Sequence, residues 1–241
     1  MIPGFVIVGS SPKTVVVTVK GPSLTPLGVD NALADPTLRL VRSSDQATIA
    51  TSDNWGDAPN KQALIDSGFA PGNDLEPAIL ANLPQGAYTA IVSGVNGTTG
   101  VGLVEVYEVD RPEVPLINIS TRGWVGTGGD VMIGGFVILG DGPQTVVIAV
   151  RGPTLSQFGI PNALANPQFT LVRSSDGVAI ATIDNWGDAP NKQDLIDSGF
   201  APGNALEPAL LATLSPGGYT VIVSGVANSG GIALLEVYAL D

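Results

Sequence analysis

Short runs of apolar and β-branched residues, bounded by Gly, Pro, Asn or Asp, recur along the chain. Apolar and polar positions alternate over residues 38–42 and 103–107, which is typical of strands with one solvated face. Residues 14–19 are almost continuously apolar or β-branched, so they predict a central strand buried on both faces. The predicted strands of this part of the chain are residues 5–8, 14–19, 38–42, 48–51, 88–92 and 103–109.

Two stretches have a different pattern and predict short helices. Residues 60–66 form the first and end before Gly68, while residues 75–83 form the second and follow Asn73. Turn residues separate the strands, and Asp176-Gly177 is a hairpin signal. Many strands with short turns and no alternation of strand and helix indicate an antiparallel all-β fold.

The whole pattern of apolar and polar positions occurs twice in the chain. Residues 1–110 align with residues 132–241 without a gap, and residues 53–62 are identical to residues 184–193. Each copy is long enough to bury its own core, and the period is too long for a solenoid repeat. The sequence therefore predicts two tandem antiparallel β-sandwich domains, jelly-roll-like and related by internal duplication, over residues 1–110 and 111–241.

Residues 111–131 occur only once, between the copies. A linker punctuated by proline over residues 110–115 precedes a predicted leading strand and a Gly-rich loop over residues 121–130. The first copy has no equivalent strand, and an unpaired sheet edge favours pairing with another chain. Head-to-tail contacts that do not close give filaments, whereas the alternative is that the first copy tolerates the loss. The candidate assembly residues are those of the leading strand: Leu116, Ile117, Asn118, Ile119 and Ser120.

Composition excludes several classes of function. The net charge of −12 argues against nucleic acid and anionic membranes as partners, because both are bound through Lys and Arg. The absence of Cys and His excludes disulfides, His-ligated metals and nucleophiles activated by His. No apolar run approaches the ~20 residues that span a bilayer.

Several motifs together resemble a tandem repeat of secreted and cell-surface bacterial proteins. The resemblance rests on residues 117–123 (INISTRG), 125–128 (VGTG), 133–138 (IGGFVI), 151–155 (RGPTL), 184–186 (DNW) and 236–238 (EVY). The latter half of each copy also resembles pre-peptidase C-terminal β-sandwich modules, which are non-catalytic parts of exported proteins. The resemblance implies an extracellular β-sandwich and no particular activity.

The loop that is identical in both copies is rich in oxygen ligands. Calcium prefers 6–8 oxygen ligands, and the loop contributes Asp53 and Asp57 in the first copy and Asp184 and Asp188 in the second. We therefore consider calcium as a ligand, although the loop lacks the twelve-residue EF-hand pattern. The alternative is a loop held by Asx turns around a packed Trp55. No other cofactor is predicted.

Three further motifs suggest other chemistry. Asp66-Ser67-Gly68 and Asp197-Ser198-Gly199 resemble the paired triplets of aspartic proteases, but they also fit a helix ended by glycine. Glu76 with Glu207, or Asp53 with Asp57, are candidates for a glycosidase carboxylate pair. The aromatic residues that a carbohydrate platform would use are Trp55, Trp124, Trp186, Tyr88 and Tyr219.

Taken together, the sequence predicts a non-enzymatic structural protein at the bacterial cell surface. Its expected partners are copies of itself, joined into a filament or surface layer through the incomplete edge of the first domain. The alternative is a monomeric adhesive module that binds carbohydrate or calcium. An enzyme similar to an aspartic protease is the more remote alternative.

Overall fold

The computed structural model describes residues 1–110 and 116–240 and is almost entirely β-structure. The chain divides into two compact units, one ending at Ile117 and the other beginning at Asn118. The predicted linker falls largely on residues 111–115, outside the described residues. The all-β, duplicated antiparallel sandwich expected from the sequence is the observed fold.

The described residues of the first unit form seven strands and one α-helix, with short 3-10 helices between them. The strands and the α-helix are β1 (Ile2–Ile7), β2 (Lys13–Lys20), β3 (Pro36–Arg42), β4 (Thr48–Ser52), α1 (Lys61–Ser67), β5 (Ala78–Leu83), β6 (Gly86–Gly94) and β7 (Leu103–Glu108). One sheet has the order β1-β6-β3-β4 and the other β5-β2-β7, with neighbouring strands antiparallel. The sequence predicted six strands here, and β5 is the one it missed.

The second unit repeats this arrangement and adds one strand at its start. Its elements are β8 (Leu116–Val125), β9 (Met132–Ile138), β10 (Gln144–Arg151), β11 (Pro167–Arg173), β12 (Val178–Ile183), α2 (Lys192–Asp197), β13 (Ala209–Leu214), β14 (Gly217–Gly225) and β15 (Gly231–Leu240). The sheets have the orders β12-β11-β14-β9 and β13-β10-β15-β8. Eight strands in two four-stranded sheets, with the first beside the last, form a jelly roll.

The core of each unit lies between its two sheets. In the first unit, Phe5 and Tyr88 are buried and stacked, with their ring centroids 5.6 Å apart. Phe136 and Tyr219 repeat this stack in the second unit at 5.5 Å. The Tyr88 hydroxyl donates a hydrogen bond to the Pro84 carbonyl (2.9 Å), so the ring is buried without leaving its polar atom unpaired.

A smaller apolar cluster covers the outer face of β2. Val16 and Leu64 of α1 are buried there, and Trp55 and Phe69 pack against them. This second layer explains the continuous apolar run of residues 14–19, because β2 is covered on both faces. Helix α1 ends at Gly68, whose φ of 79° is left-handed, as the sequence predicted.

The predicted helix over residues 75–83 is wrong. Asn73 makes an Asx turn instead, its side-chain oxygen accepting a hydrogen bond from the Leu75 amide (3.0 Å). Pro77 follows, and residues 78–83 pair along β2 as strand β5. The free edge of β2 therefore determined the conformation of a segment whose local pattern was ambiguous.

Candidate assembly edge and loop sites

In the second unit, the leading strand β8 covers the outer edge of β15. The two strands are antiparallel, with Asn118 opposite Tyr238 and Val125 opposite Gly231. Val125 is buried in the core, and Ile119 packs against it. The strand is longer than predicted, because residues 121–125, predicted as the start of a Gly-rich loop, continue the pairing.

The predicted assembly residues lie at the start of β8. Asn118, Ile119 and Ser120 pair with β15, and the Asn118 side-chain amide also donates to the Val237 carbonyl (3.2 Å). The Leu116 amide donates to a carboxylate oxygen of Glu108 (3.1 Å). Asn118, Ile119 and Ser120 cover the edge of β15, the last strand of the second unit, by backbone pairing and by a side-chain hydrogen bond.

In the first unit, β7 is the equivalent of β15 and lacks such a cover. Within the described residues of its unit, β7 pairs only with β2. The consequence is visible in burial: Leu235 and Val237 on β15 are 2% and 7% exposed, whereas the equivalent Val104 and Val106 on β7 are only half-buried. Leu103 beside them is 41% exposed. Among the residues that the structure describes, the first unit therefore has seven strands where the second has eight.

Polar contacts fix the end of this open strand. The Lys13 ammonium is fully buried, lies 2.6 Å from a Glu108 carboxylate oxygen and donates to the Asp110 carbonyl (3.0 Å). Asp110 in turn accepts hydrogen bonds from the amide and hydroxyl of Thr14 (2.7 and 2.6 Å). The second copy has Gln144 in place of Lys13, so this ion pair belongs to the unit with the open edge. Apart from that difference between the copies, no sequence pattern indicated this ion pair.

The outward side of β7 combines charge with an aromatic ring. Glu105 lies 2.9 Å from the Lys20 ammonium, and Tyr107 stacks on Phe69 with centroids 4.1 Å apart. Burial, followed by the hydrogen bond and charge of Glu105, raises the pKa of Tyr107 above its ordinary value. Tyr107 therefore stays neutral.

The duplicated Asp-rich loop borders an open cleft in the first unit. The cleft has a volume of about 470 Å³, and its lining includes Asp53, Asn54, Asp57 and Asn60. Both aspartates are exposed. The buried Asn54 Oδ1 and Trp55 Nε1 make no hydrogen bond with the described residues.

In the second unit, the same loop places Asp188 within 3.4 Å of the Asn185 side-chain amide, and a buried oxygen of Asp184 is without a partner among the described residues. The described residues contain no group of three or more acidic side chains placed to hold a metal ion. Calcium at Asp53, Asp57, Asp184 and Asp188 remains a prediction.

Glu76 and Glu207 are buried anchors of their own units. The Oε1 atom of Glu76 accepts hydrogen bonds from the amides of Gly21 and Ser23 (both 2.9 Å) and from the Ser23 hydroxyl (2.6 Å). Glu207 repeats this pattern with Gly152 and Thr154. Each carboxylate thus satisfies donors at the start of the short 3-10 helices Pro22–Leu27 and Pro153–Phe158. The sequence signal for this role was that both copies place a glutamate between a leucine and a proline, at residues 75–77 and 206–208.

The two protease-like triplets are helix ends. Asp66 lies in the last turn of α1, is exposed, and accepts a hydrogen bond from Gln62 (2.8 Å). Asp197 pairs with Gln193 in the same way (2.8 Å). The Ser67 hydroxyl donates to the Leu64 carbonyl (2.7 Å) and so completes the helix terminus.

The aromatic residues do not form one platform. Tyr88 and Tyr219 are buried in the cores of their units, so including them in a carbohydrate surface was wrong. Trp55 and Trp186 are half-buried, with the ammonium groups of Lys61 and Lys192 5.2 and 5.3 Å from their ring centroids. Trp124 alone of the three tryptophans is mostly exposed.

No family model matches the chain, and no curated protein sequence matches it. Among solved structures, the chain is similar to the pre-peptidase C-terminal domain of a collagenase from Bacillus anthracis, with 19% identity over 50% of this chain and 89% of that chain and a TM-score of 0.32. It is also similar to the STIV MCP (10% identity, 99% and 91% covered, TM-score 0.29) and to a chain of Sulfolobus Turreted Icosahedral Virus (11% identity, 99% and 85% covered, TM-score 0.30). The assignment as a protein of two β-sandwich units rests on the strand order of the chain itself. No helix among the described residues is long and apolar enough to cross a membrane.

Proposed function

We propose that this protein is a non-enzymatic, extracellular structural protein that assembles head to tail into a filament or surface layer. The joint is the outer edge of β7 in the first unit. One observation carries the proposal: among the described residues of its unit, β7 has no strand on this edge, whereas β8 covers the equivalent edge of β15.

The edge has the properties of a strand acceptor. In an antiparallel ladder, about half of the residues of a strand direct their N–H and C=O groups towards each neighbour, so β7 offers about three residues for pairing. Val104 and Val106 would gain burial from a covering strand, because Leu235 and Val237 are buried in the covered unit. Backbone pairing and apolar burial therefore favour the same contact.

The other parts of the proposal rest on different observations. The sequence has neither His nor Cys, and in each of the carboxylate candidates Glu76 and Glu207 the Oε1 atom is held by backbone amide and side-chain hydroxyl donors. The extracellular location rests on the resemblance to bacterial surface repeats.

The test is the mass of the purified chain as a function of concentration. Head-to-tail assembly predicts a ladder of species that grows with concentration and becomes visible as filaments or sheets by electron microscopy. A substitution of Leu103 by lysine removes the ladder if β7 is the joint. A chain that remains monomeric at high concentration contradicts the proposal.

A second candidate function is a monomeric adhesive module. It is favoured by the cleft beside Asp53 and Asp57, where Asn54 Oδ1 and Trp55 Nε1 have no partner among the described residues. Unsatisfied buried polar atoms call for a polar ligand or water. A calcium-dependent rise in melting temperature, or retention on a glycan array, that is lost in Asp53→Asn and Asp57→Asn would support this function.

A further inference from the structure

Head-to-tail assembly requires two different surfaces on each copy. The open edge of β7 provides the first, so its partner must be another edge or groove of the same chain. Pairing of β7 with β7 of a second copy would be isologous and would join only two copies, so it cannot give a head-to-tail chain. The assignment of this second surface rests on the proposed function, because it names the partner of the same β7 edge.

Strand β9 in the second unit is the strongest candidate for this surface. Within the described residues of its unit, β9 pairs only with β14, so its other edge is open. Its outward side is apolar, with Ile133 and Val137 56% and 66% exposed, and Leu139 just beyond the strand is 80% exposed. Exposed apolar side chains along an open edge mark an interaction site, since natural proteins usually protect such edges with charge.

The side chains of β9 complement those of β7. The outward row of β9 reads Ile133, Gly135 and Val137 and contains no charge, whereas β7 presents Leu103 and Glu105 on its outward side. In an antiparallel register that sets Leu103 opposite Val137, Glu105 falls opposite Gly135. The side chains of Leu103 and Val137 then face each other, and the Glu105 carboxylate has no side chain across from it.

The second unit already shows an antiparallel strand covering the edge of a last strand. There, the same kind of last strand, β15, is covered by an antiparallel strand whose inward residues include Gly123 as well as Ile119 and Val125. Strand β9 likewise alternates inward residues of mixed size, with Gly134 between Met132 and Phe136. A cover of this composition therefore suits the edge of β7.

We propose that β7 of one copy pairs antiparallel with β9 of a second copy, with Leu103 opposite Val137. The contact is heterologous, because each copy uses β7 on one side and β9 on the other. Repetition of such a contact gives an open chain of copies unless the rotation closes a ring. A continuous sheet then runs through each joint.

Cysteine cross-linking tests this pairing, because the natural chain contains no cysteine. Opposite residues on antiparallel strands have Cα atoms roughly 4.5–5.5 Å apart, which lies within the range of a disulfide. We would mix Leu103→Cys with Val137→Cys under mild oxidation and measure the covalent heterodimer, using a mixture of Leu103→Cys and Val178→Cys as the matched control. Val178 is also exposed on an edge strand, β12.

The expected result is about tenfold more heterodimer from the Val137 mixture than from the control, because pairing raises the local concentration of the two thiols. Val137→Lys should also remove the high-mass species, whereas Val178→Lys should retain them. Equal cross-linking in both mixtures, with assembly unchanged in Val137→Lys, would overturn the assignment of β9. If the high-mass species then still respond to Leu103→Lys, the proposed assembly stands and only its partner surface is wrong.

Discussion

Val104 and Leu235 occupy the same position in the two copies of the duplicated sequence but differ in their surroundings. Leu235 lies on β15, whose edge is covered by β8, and is 2% exposed, while Val104 on β7 is only half-buried. The difference follows from one strand, because β8 has no counterpart among the described residues of the first unit. The proposed function rests on this difference in exposure between the two units.

Leu103→Lys should prevent assembly without unfolding the first unit. Leu103 is 41% exposed, so the substitution costs little stability, while a lysine on an edge strand disfavours pairing with another chain. Sedimentation velocity should show loss of the high-mass species, and circular dichroism should be unchanged. Ile49→Lys on the edge strand β4, with Ile49 37% exposed, is the matched control and should still assemble. An equal loss in both variants would indicate a general effect of charge.

A peptide with the sequence of β8, residues 116–125, should bind the open edge of β7 and limit assembly. The peptide reproduces the strand that covers β15, and Ile119 would pack beside Val106 as it packs opposite Val237. Titration should lower the proportion of high-mass species. The same peptide with Ile119→Pro is the control, because proline removes a backbone donor from the ladder. Equal effects of both peptides would contradict pairing through the backbone.

Glu76→Ala should destabilise the first unit by about 2–4 kcal/mol, because buried donors of Gly21 and Ser23 lose their charged acceptor. Urea unfolding measures the change. Asp66→Ala, which removes an exposed carboxylate hydrogen-bonded to Gln62, should change the stability by less than about 0.5 kcal/mol. A cost for Glu76→Ala as small as that of the control would show that the carboxylate does not anchor the 3-10 helix.

The carboxyl group of Asp45 should titrate well below its ordinary range. The hydrogen bond from Arg42, followed by that from the Ala47 amide, lowers the pKa of Asp45 from 3.8 to about 2. Since the folded pKa is lowered, the stabilising contribution is present above pH 3.8 and is lost as the pH falls towards 2. A carbon-detected NMR titration should give the low pKa in the natural chain and a higher one in Arg42→Gln. A pKa near 3.8 in the natural chain would contradict the pairing.

The sequence predicted the features that depend on local pattern and on repetition. The apolar run of residues 14–19 predicted a strand covered on both faces, and Gly68 predicted the end of α1. It failed where tertiary contacts decide: residues 78–83 became a strand because the edge of β2 was available, and β8 continued beyond Ser120 because β15 lies beside it. The ion pair between the buried Lys13 and Glu108 was also missed, because the two residues are far apart in sequence.

The same limits apply to the candidate sites. The alignment of the two copies showed that residues 111–131 have no counterpart within residues 1–110. The exposure of Ile133 and Val137 on β9 could not be read from the sequence, because the faces of a strand that are covered depend on its neighbours in the fold. Tyr88 and Tyr219 were likewise misassigned, since sequence does not distinguish a buried tyrosine with a bonded hydroxyl from one on the surface.

Sedimentation velocity of the purified chain over a wide range of concentration, followed by electron microscopy of the same samples, tests the central claim most directly. The account predicts a series of species that grows with concentration, becomes more prominent in salt because the net charge of −12 is screened, and appears as filaments or sheets. A single monomeric species at every concentration and salt condition would contradict assembly through the β7 edge.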